Sequence, residues 1–153
     1  MPTKADLVYF AGQNVIEQHM GLARKYDLEI PDQIIFDLDP SDNDFEKVRK
    51  TAFALKDILD ERDLPSFLKT TGSRGVHIHI PIKPEKKFDE VKKAVRKLAE
   101  TLHDTCPDLT TLESRKKKRG DKVFIDYLRN DYGMTAIAPY SLRALKGAPI
   151  ATP

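Results

Sequence analysis

The sequence predicts an α+β fold, a mostly antiparallel sheet with helices packed on one face, and three observations carry that expectation. A helical segment over residues 45–62 joins an apolar strand to a hairpin. A second helix joins that hairpin to two late strands. In the hairpin's second strand, Val76, Ile78, Ile80 and Ile82 alternate with His77 and His79, so both imidazoles share the face opposite the core. That helix-free face is where a site is expected. With 153 residues and 40% hydrophobic content the chain can bury one substantial core, and residues 1–153 are expected to form a single domain.

Taken in order, Thr3 can cap a helix from Lys4 whose apolar face (Leu7, Val8, Phe10, Ala11, Val15, Ile16) continues to about Met20, although Gly12 and Asn14 weaken it. After Pro31, residues 33–36 are too short and too β-rich for anything but a buried strand. Ser41 or Asp42 can cap the next helix, where Phe45, Val48, Ala52, Leu55, Ile58 and Leu59 recur at helical spacing until Asp63 and Pro65 end it. Residues 66–70 read as a strand, 71–75 as a turn and 76–82 as a strand closed by Pro84. The second amphipathic helix runs from Phe88 to Leu102, with Lys92, Lys93, Arg96 and Lys97 in solvent. A short segment at 109–112, a charge run at 115–119 and strands at 122–127 and near 134–138 follow.

Charge alone selects no partner. The 26 basic and 24 acidic side chains leave a formal +2, so any basic site must be local. The single cysteine, Cys106, excludes an intrachain disulfide and a Cys-rich metal cluster. The N-terminus lacks the apolar core of a signal peptide, and no apolar run reaches the roughly 20 residues that span a bilayer. A cytoplasmic protein without a membrane partner is expected.

Three stretches carry the chemistry: Asp37-Leu-Asp39-Pro-Ser after Ile34-Ile-Phe36, Lys69-Thr-Thr-Gly-Ser73-Arg-Gly-Val-His77-Ile-His79, and Asp126 after Val123-Phe-Ile125. On an extended chain Asp37 and Asp39 project from one side, and hard oxygen ligands at that spacing suit Mg2+ or Mn2+. Asp126 would complete a two-metal site of the kind that stabilises both oxygens of an in-line displacement. Taken alone, Asp39-Pro-Ser41-Asp42 reads equally well as a turn and helix cap. Thr71 to Gly75 combines glycines that permit close approach, hydroxyl donors and the forked cation of Arg74, which phosphate oxygens favour. A plain hairpin turn explains the glycines, but not Lys69, Ser73, Arg74 and His77 together. The run Arg115, Lys116, Lys117, Lys118, Arg119 is either a solvated loop or a seat for a polyanion backbone.

From about Val8 to Pro153 these motifs, with Asp126-Tyr-Leu-Arg-Asn130 and Ala138-Pro-Tyr-Ser-Leu-Arg143, resemble the polymerase domain of DNA ligase D, within the archaeo-eukaryotic primase superfamily. The resemblance implies an RRM-like primase-polymerase core that adds nucleotides to a 3′-hydroxyl in DNA end repair. It implies Asp37, Asp39 and Asp126 as ligands of Mg2+ or Mn2+. It also implies Thr71, Ser73, Arg74, His77 and Arg143 around a nucleoside triphosphate, with His19 of Glu17-Gln-His19 lining the same pocket. Expected partners are a DNA primer-template or DNA ends, and a separate ligase or end-joining protein. The chain departs from the family pattern at Arg74 (commonly Lys), His79 (often aromatic) and Arg129 (often Gln). The resemblance lies mainly with the second half of family members, and it implies that a preceding region of roughly a hundred residues, part of the nucleic-acid platform and of 5′-phosphate recognition, is absent here. Two other readings stand beside it. Ile34-Ile-Phe-Asp37-Leu-Asp39 also resembles the first motif of haloacid-dehalogenase-like phosphatases, whose first Asp is a nucleophile on a parallel sheet. A non-catalytic subunit that binds nucleotide or nucleic acid and needs a partner chain is the third.

Overall fold

The computed structural model describes residues 3–153. Met1 and Pro2, the start of the segment read above for a signal peptide, lie outside the described residues. Helix α1 (Lys4–Gly12) begins at Thr3 with the expected cap: the Thr3 hydroxyl accepts from the Asp6 amide while the Asp6 carboxylate accepts from the Thr3 amide. The helix stops at Gly12 rather than near Met20, where Asn14 adopts φ 56°, and none of its residues is buried. Strands β1 (His19–Gly21), β2 (Ala23–Arg24) and β3 (Asp27–Pro31) follow. The β2–β3 hairpin has no counterpart in the sequence expectation. Strand β2 has only two residues, and β3 interrupts Leu28 and Ile30 with Asp27 and Glu29, so neither offers an apolar run.

Strand β4 (Gln33–Pro40) extends four residues past the apolar run, so Asp37 and Asp39 lie within the strand instead of beyond its end. Helix α2 (Phe45–Asp60) is capped by Asp44, not by Ser41 or Asp42; the Asp44 carboxylate accepts from the Glu46 amide at 3.0 Å. Strands β5 (Phe67–Thr70) and β6 (Val76–Pro81) form the predicted hairpin, and helix α3 (Phe88–Thr105) follows. The chain closes with β7 (Thr110–Thr111), a 3-10 turn (Lys116–Lys118), β8 (Val123–Asp126) and β9 (Thr135–Ile137).

The main sheet has the order β5-β6-β4-β8-β7, antiparallel except for the short β7–β8 pair. Ile34, Phe36 and Leu38 of β4 meet Val76, Ile78 and Ile80 of β6 on one face. There Val48, Leu55 and Leu59 of α2 and Val95, Ala99 and Leu102 of α3 complete the core. Both helices therefore cover the same side, as the sequence predicts. On the opposite side, β1 pairs with β9, and Leu22 and Ala136 pack over Ile35. The antiparallel flanks of β4 remove the phosphatase reading, which needs a parallel sheet around its first Asp.

Candidate active site

Strand register brings the motifs together. Lys69 of β5 pairs with His77 of β6, His77 with Asp37 of β4, and Asp37 with Asp126 of β8, so four ionisable side chains form one row across the helix-free face. Asp39 follows Asp37 on that face, because side chains two apart on a strand point the same way. Lys69, His77 and Asp37 are each only 3% exposed, which rules out three solvated surface residues that merely happen to align.

Partners are unevenly distributed along the row. Asp37 Oδ2 meets Arg129 Nε at 2.7 Å and His77 Nε2 at 3.3 Å, whereas its buried Oδ1 has no partner. Burial would push the Asp37 carboxyl up, but contact with His77 and the charge of Arg129 outweigh it and hold it below the usual range. Asp39 moves the other way, raised first by burial and then by the charge of Asp37. Burial also raises Asp126, against the pull of Arg129, whose Nε lies 3.4 Å from Asp126 Oδ2. Lys69 Nζ is buried without a hydrogen-bond partner, and burial draws its pKa down to about 8.

The turn between β5 and β6 is held by contacts rather than left loose. The Thr71 hydroxyl donates to the Gly75 carbonyl at 3.0 Å and accepts from the Ser73 amide at 3.2 Å, which makes it a brace of the turn. A Cβ on Gly75 would stand 2.4 Å from the Leu38 carbonyl oxygen, so only glycine lets the turn lie against β4 beside Asp39. Gly72, at φ 67°, leaves room for Arg143, whose Cγ a Cβ there would meet at 2.8 Å. Arg143 donates to the Thr71 carbonyl at 2.8 Å and to Glu17 at 3.0 Å. Glu17 also accepts from the Ala144 amide and lies 3.9 Å from His19 Nε2.

A cleft of about 140 Å³ is lined by His19, Asp37, Asp39, Thr71, Ser73, His77, Arg129 and Arg143, together with Ile137. Asp126 is not part of this lining, although it pairs with Asp37 across the sheet, and two more of the expected site residues stand apart. Arg74 lines the adjoining groove with Lys146 and Leu145, and only Ser73 borders both spaces. Arg119 is buried: its guanidinium donates to the carbonyls of Glu113 and Ser114 and stacks 3.8 Å from the Phe124 ring centroid, so it braces the loop, while Arg115, Lys116, Lys117 and Lys118 stay exposed. Asn130, the last residue of the Asp126 motif, is a positioning residue to which the sequence assigned no role. Its side chain donates to the Ile35 carbonyl and accepts from the Ile35 amide, fixing β4 where β8 no longer pairs with it.

Hard carboxylates and an orphaned Asp37 oxygen suit a small divalent cation. Among the described residues, however, no three Asp, Glu, His or Cys side chains are gathered closely enough to hold one. Arg129 stands between two of the carboxylates.

The whole chain, residues 1–153, matches the model of the LigD primase-polymerase domain. The chain belongs to that family. Relatives include the multifunctional non-homologous end joining protein LigD of Pseudomonas aeruginosa, 34% identical over 90% of this chain. The bifunctional LigD of Bacillus subtilis is 35% identical over 80% of the chain, and the multifunctional LigD of Mycolicibacterium smegmatis 31% over 99%. The chain spans 16% of the first relative's length and 20% of the other two. The polymerase domain of Mycobacterium tuberculosis ligase D, solved in complex with DNA, superposes with a TM-score of 0.90 at 28% identity, over all of this chain and 56% of that one. The LigD primase-polymerase family comprises DNA-directed nucleotidyltransferases and is metal-dependent. No helix among the described residues is long and apolar enough to cross a membrane.

Proposed function

We propose that this chain is a primase-polymerase catalytic module that transfers a nucleotidyl group from a nucleoside triphosphate to a DNA 3′-hydroxyl during end repair. The cross-strand row Lys69, His77, Asp37 and Asp126, with Asp39 beside it, carries the reading. The row sets three carboxylates beside Lys69 and His77 on one sheet face, with Asp37, Asp39 and His77 lining the cleft, a concentration of ionisable groups that a structural sheet face would not need. Asp37, Asp39 and Asp126 are the residues that would hold Mg2+ or Mn2+. Such an ion supplies charge neutralisation at the phosphates and lowers the hydroxyl pKa.

The chain's own groups orient the reactants. Arg143, fixed by Glu17 and the Thr71 carbonyl, presents its remaining donors to the cleft, and the Ser73 hydroxyl lies at its rim. Both suit triphosphate oxygens. In the transfer, the 3′-hydroxyl loses its proton to solvent water, its oxygen bonds to the α-phosphorus, the α–β anhydride bond breaks, and pyrophosphate leaves on the Arg143 side. A buried floor of fixed charges favours this exchange because it needs no reorganisation as charge develops.

DNA ends and an end-joining ligase are the partners that fit. The relatives are named for end joining, and the matched structure is a DNA complex. A primer-extension assay with labelled nucleotides and Mn2+ tests the proposal. Wild type should extend the primer, and Asp37→Asn and Asp126→Asn should not. Extension that persists in both variants would remove the assignment.

A further inference from the structure

Arg129 holds the oxygens that a metal ion would take. Its Nε is 2.7 Å from Asp37 Oδ2 and 3.4 Å from Asp126 Oδ2, so one guanidinium bridges two carboxylates that face each other across β4 and β8. A divalent cation on this pair competes for those oxygens, and its positive charge repels the guanidinium at such range. We propose that Arg129 is the internal counter-ion of the metal-free site, holding Asp37 and Asp126 in register until a divalent ion displaces it. The inference rests on the proposed function only in taking these carboxylates as metal ligands.

Two features give the displacement a route. The Arg129 side chain is 30% exposed and borders the cleft, so it can swing outward without opening the core. The backbone beside it is fixed, because the Asn130 side chain is tied to Ile35. The exchange therefore involves one side chain and leaves the β4–β8 register intact. A counter-ion also answers a need of the sheet: three carboxylates on one face repel one another, and of the nearby cations only Arg129 touches two of them. Lys69 stands at the end of the row opposite Asp126, without a hydrogen-bond partner, and Arg143 is committed to Glu17.

Mn2+ binding, measured by electron paramagnetic resonance on the full chain without nucleotide or DNA, tests this directly. R129Q should bind Mn2+ roughly tenfold more tightly than wild type, the factor that 1.4 kcal/mol represents. R129K should fall between the two, since an ammonium keeps the charge but loses the fork. Metal-free R129Q should also melt below wild type, with the gap closing as metal is added. A reading that a purely structural residue would not move is available on the wild-type protein alone. The Arg129 Nε–H resonance, protected in metal-free protein, should shift as Mg2+ saturates the site. Equal or weaker Mn2+ affinity in R129Q, no Mn2+ binding by either protein, or an Arg129 resonance that ignores saturating Mg2+ would each overturn the proposal. Tighter binding by R129Q in a protein that extends no primer would uphold the counter-ion and remove the polymerase reading instead.

Discussion

Asp37 and Asp39 are two positions apart with identical chemistry, yet their surroundings drive them in opposite directions. Arg129 and His77 hold Asp37 ionised against its burial, whereas burial and the charge of Asp37 raise Asp39. In metal-free buffer near neutral pH, Asp37→Asn should therefore destabilise the fold by about 1–3 kcal/mol, because it removes the charged partner of buried His77 and half-buried Arg129. Asp39→Asn should be neutral or stabilising. Thermal unfolding of both variants checks the pair, and a loss of stability in Asp39→Asn would contradict the environment described. Both should lose more than about a hundredfold in nucleotidyl transfer, since outer-shell partners of a metal alone are worth 10–100-fold. His79 gives a pH prediction. Burial first, then repulsion from His77 and Lys69, lowers its pKa to about 4 from an ordinary 6.5. Because the unfolded chain takes up a proton near pH 6.5 while the folded chain resists until about 4, stability is lost as pH falls through that window. His79→Gln should flatten the decline in melting temperature between those two values, and an unchanged slope would show that carboxylates alone set it.

Elements locate these residues through pairings that differ in how readable they are. Period-2 alternation fixed the faces of β6, and the spacing of α2 and α3 fixed their buried sides, so the helix-covered core was legible from residues such as Ile78 and Val95 alone. The β1–β9 pair was not, since His19 meets Ile137 across most of the chain and neither strand exceeds three residues. Asn130 escaped for another reason: it acts on the backbone of Ile35, which no side-chain pattern records. Asn130→Ala should leave the buried Ile35 amide and carbonyl without their side-chain partner and cost about 1–3 kcal/mol per group. Denaturant unfolding would read the loss, and a variant as stable as wild type would mean that β4 is held elsewhere. Gly75→Ala tests the turn. Its Cβ would displace the β5–β6 turn from the Leu38 carbonyl, so nucleotide affinity measured by calorimetry should fall along with a stability loss of about 1–3 kcal/mol.

At the scale of the molecule, the sheet divides labour between its faces, and that division decides how nucleic acid can approach. The basic side chains of α3 lie on the helix-covered side, with Lys92 paired to Asp131 and Arg96 to Glu100, and none of them lines the cleft. The 115–119 loop is better placed. It leads into β8 at the Asp39 end of the site, the Ser41 amide donates to the Lys122 carbonyl there, and the Arg119 charge is felt by Asp39 and Asp126. Sequence showed the charge run but not its internal split, because stacking of Arg119 on Phe124 depends on β8 burying that ring on the Asp126 side, opposite Val123 and Ile125 of the helix-covered core. With Arg119 committed, Arg115, Lys116, Lys117 and Lys118 remain to meet phosphates. Duplex binding should then weaken with a slope of log affinity against log salt of about −3 to −4, set by roughly four neutralised phosphates. Replacing Lys116, Lys117 and Lys118 with alanine should reduce that slope by about 2 to 3 while leaving nucleotide affinity unchanged, since none of them lines the cleft. Fluorescence anisotropy across a salt series reads the slope directly. A slope unmoved by the triple substitution would place the DNA on another surface of this sheet.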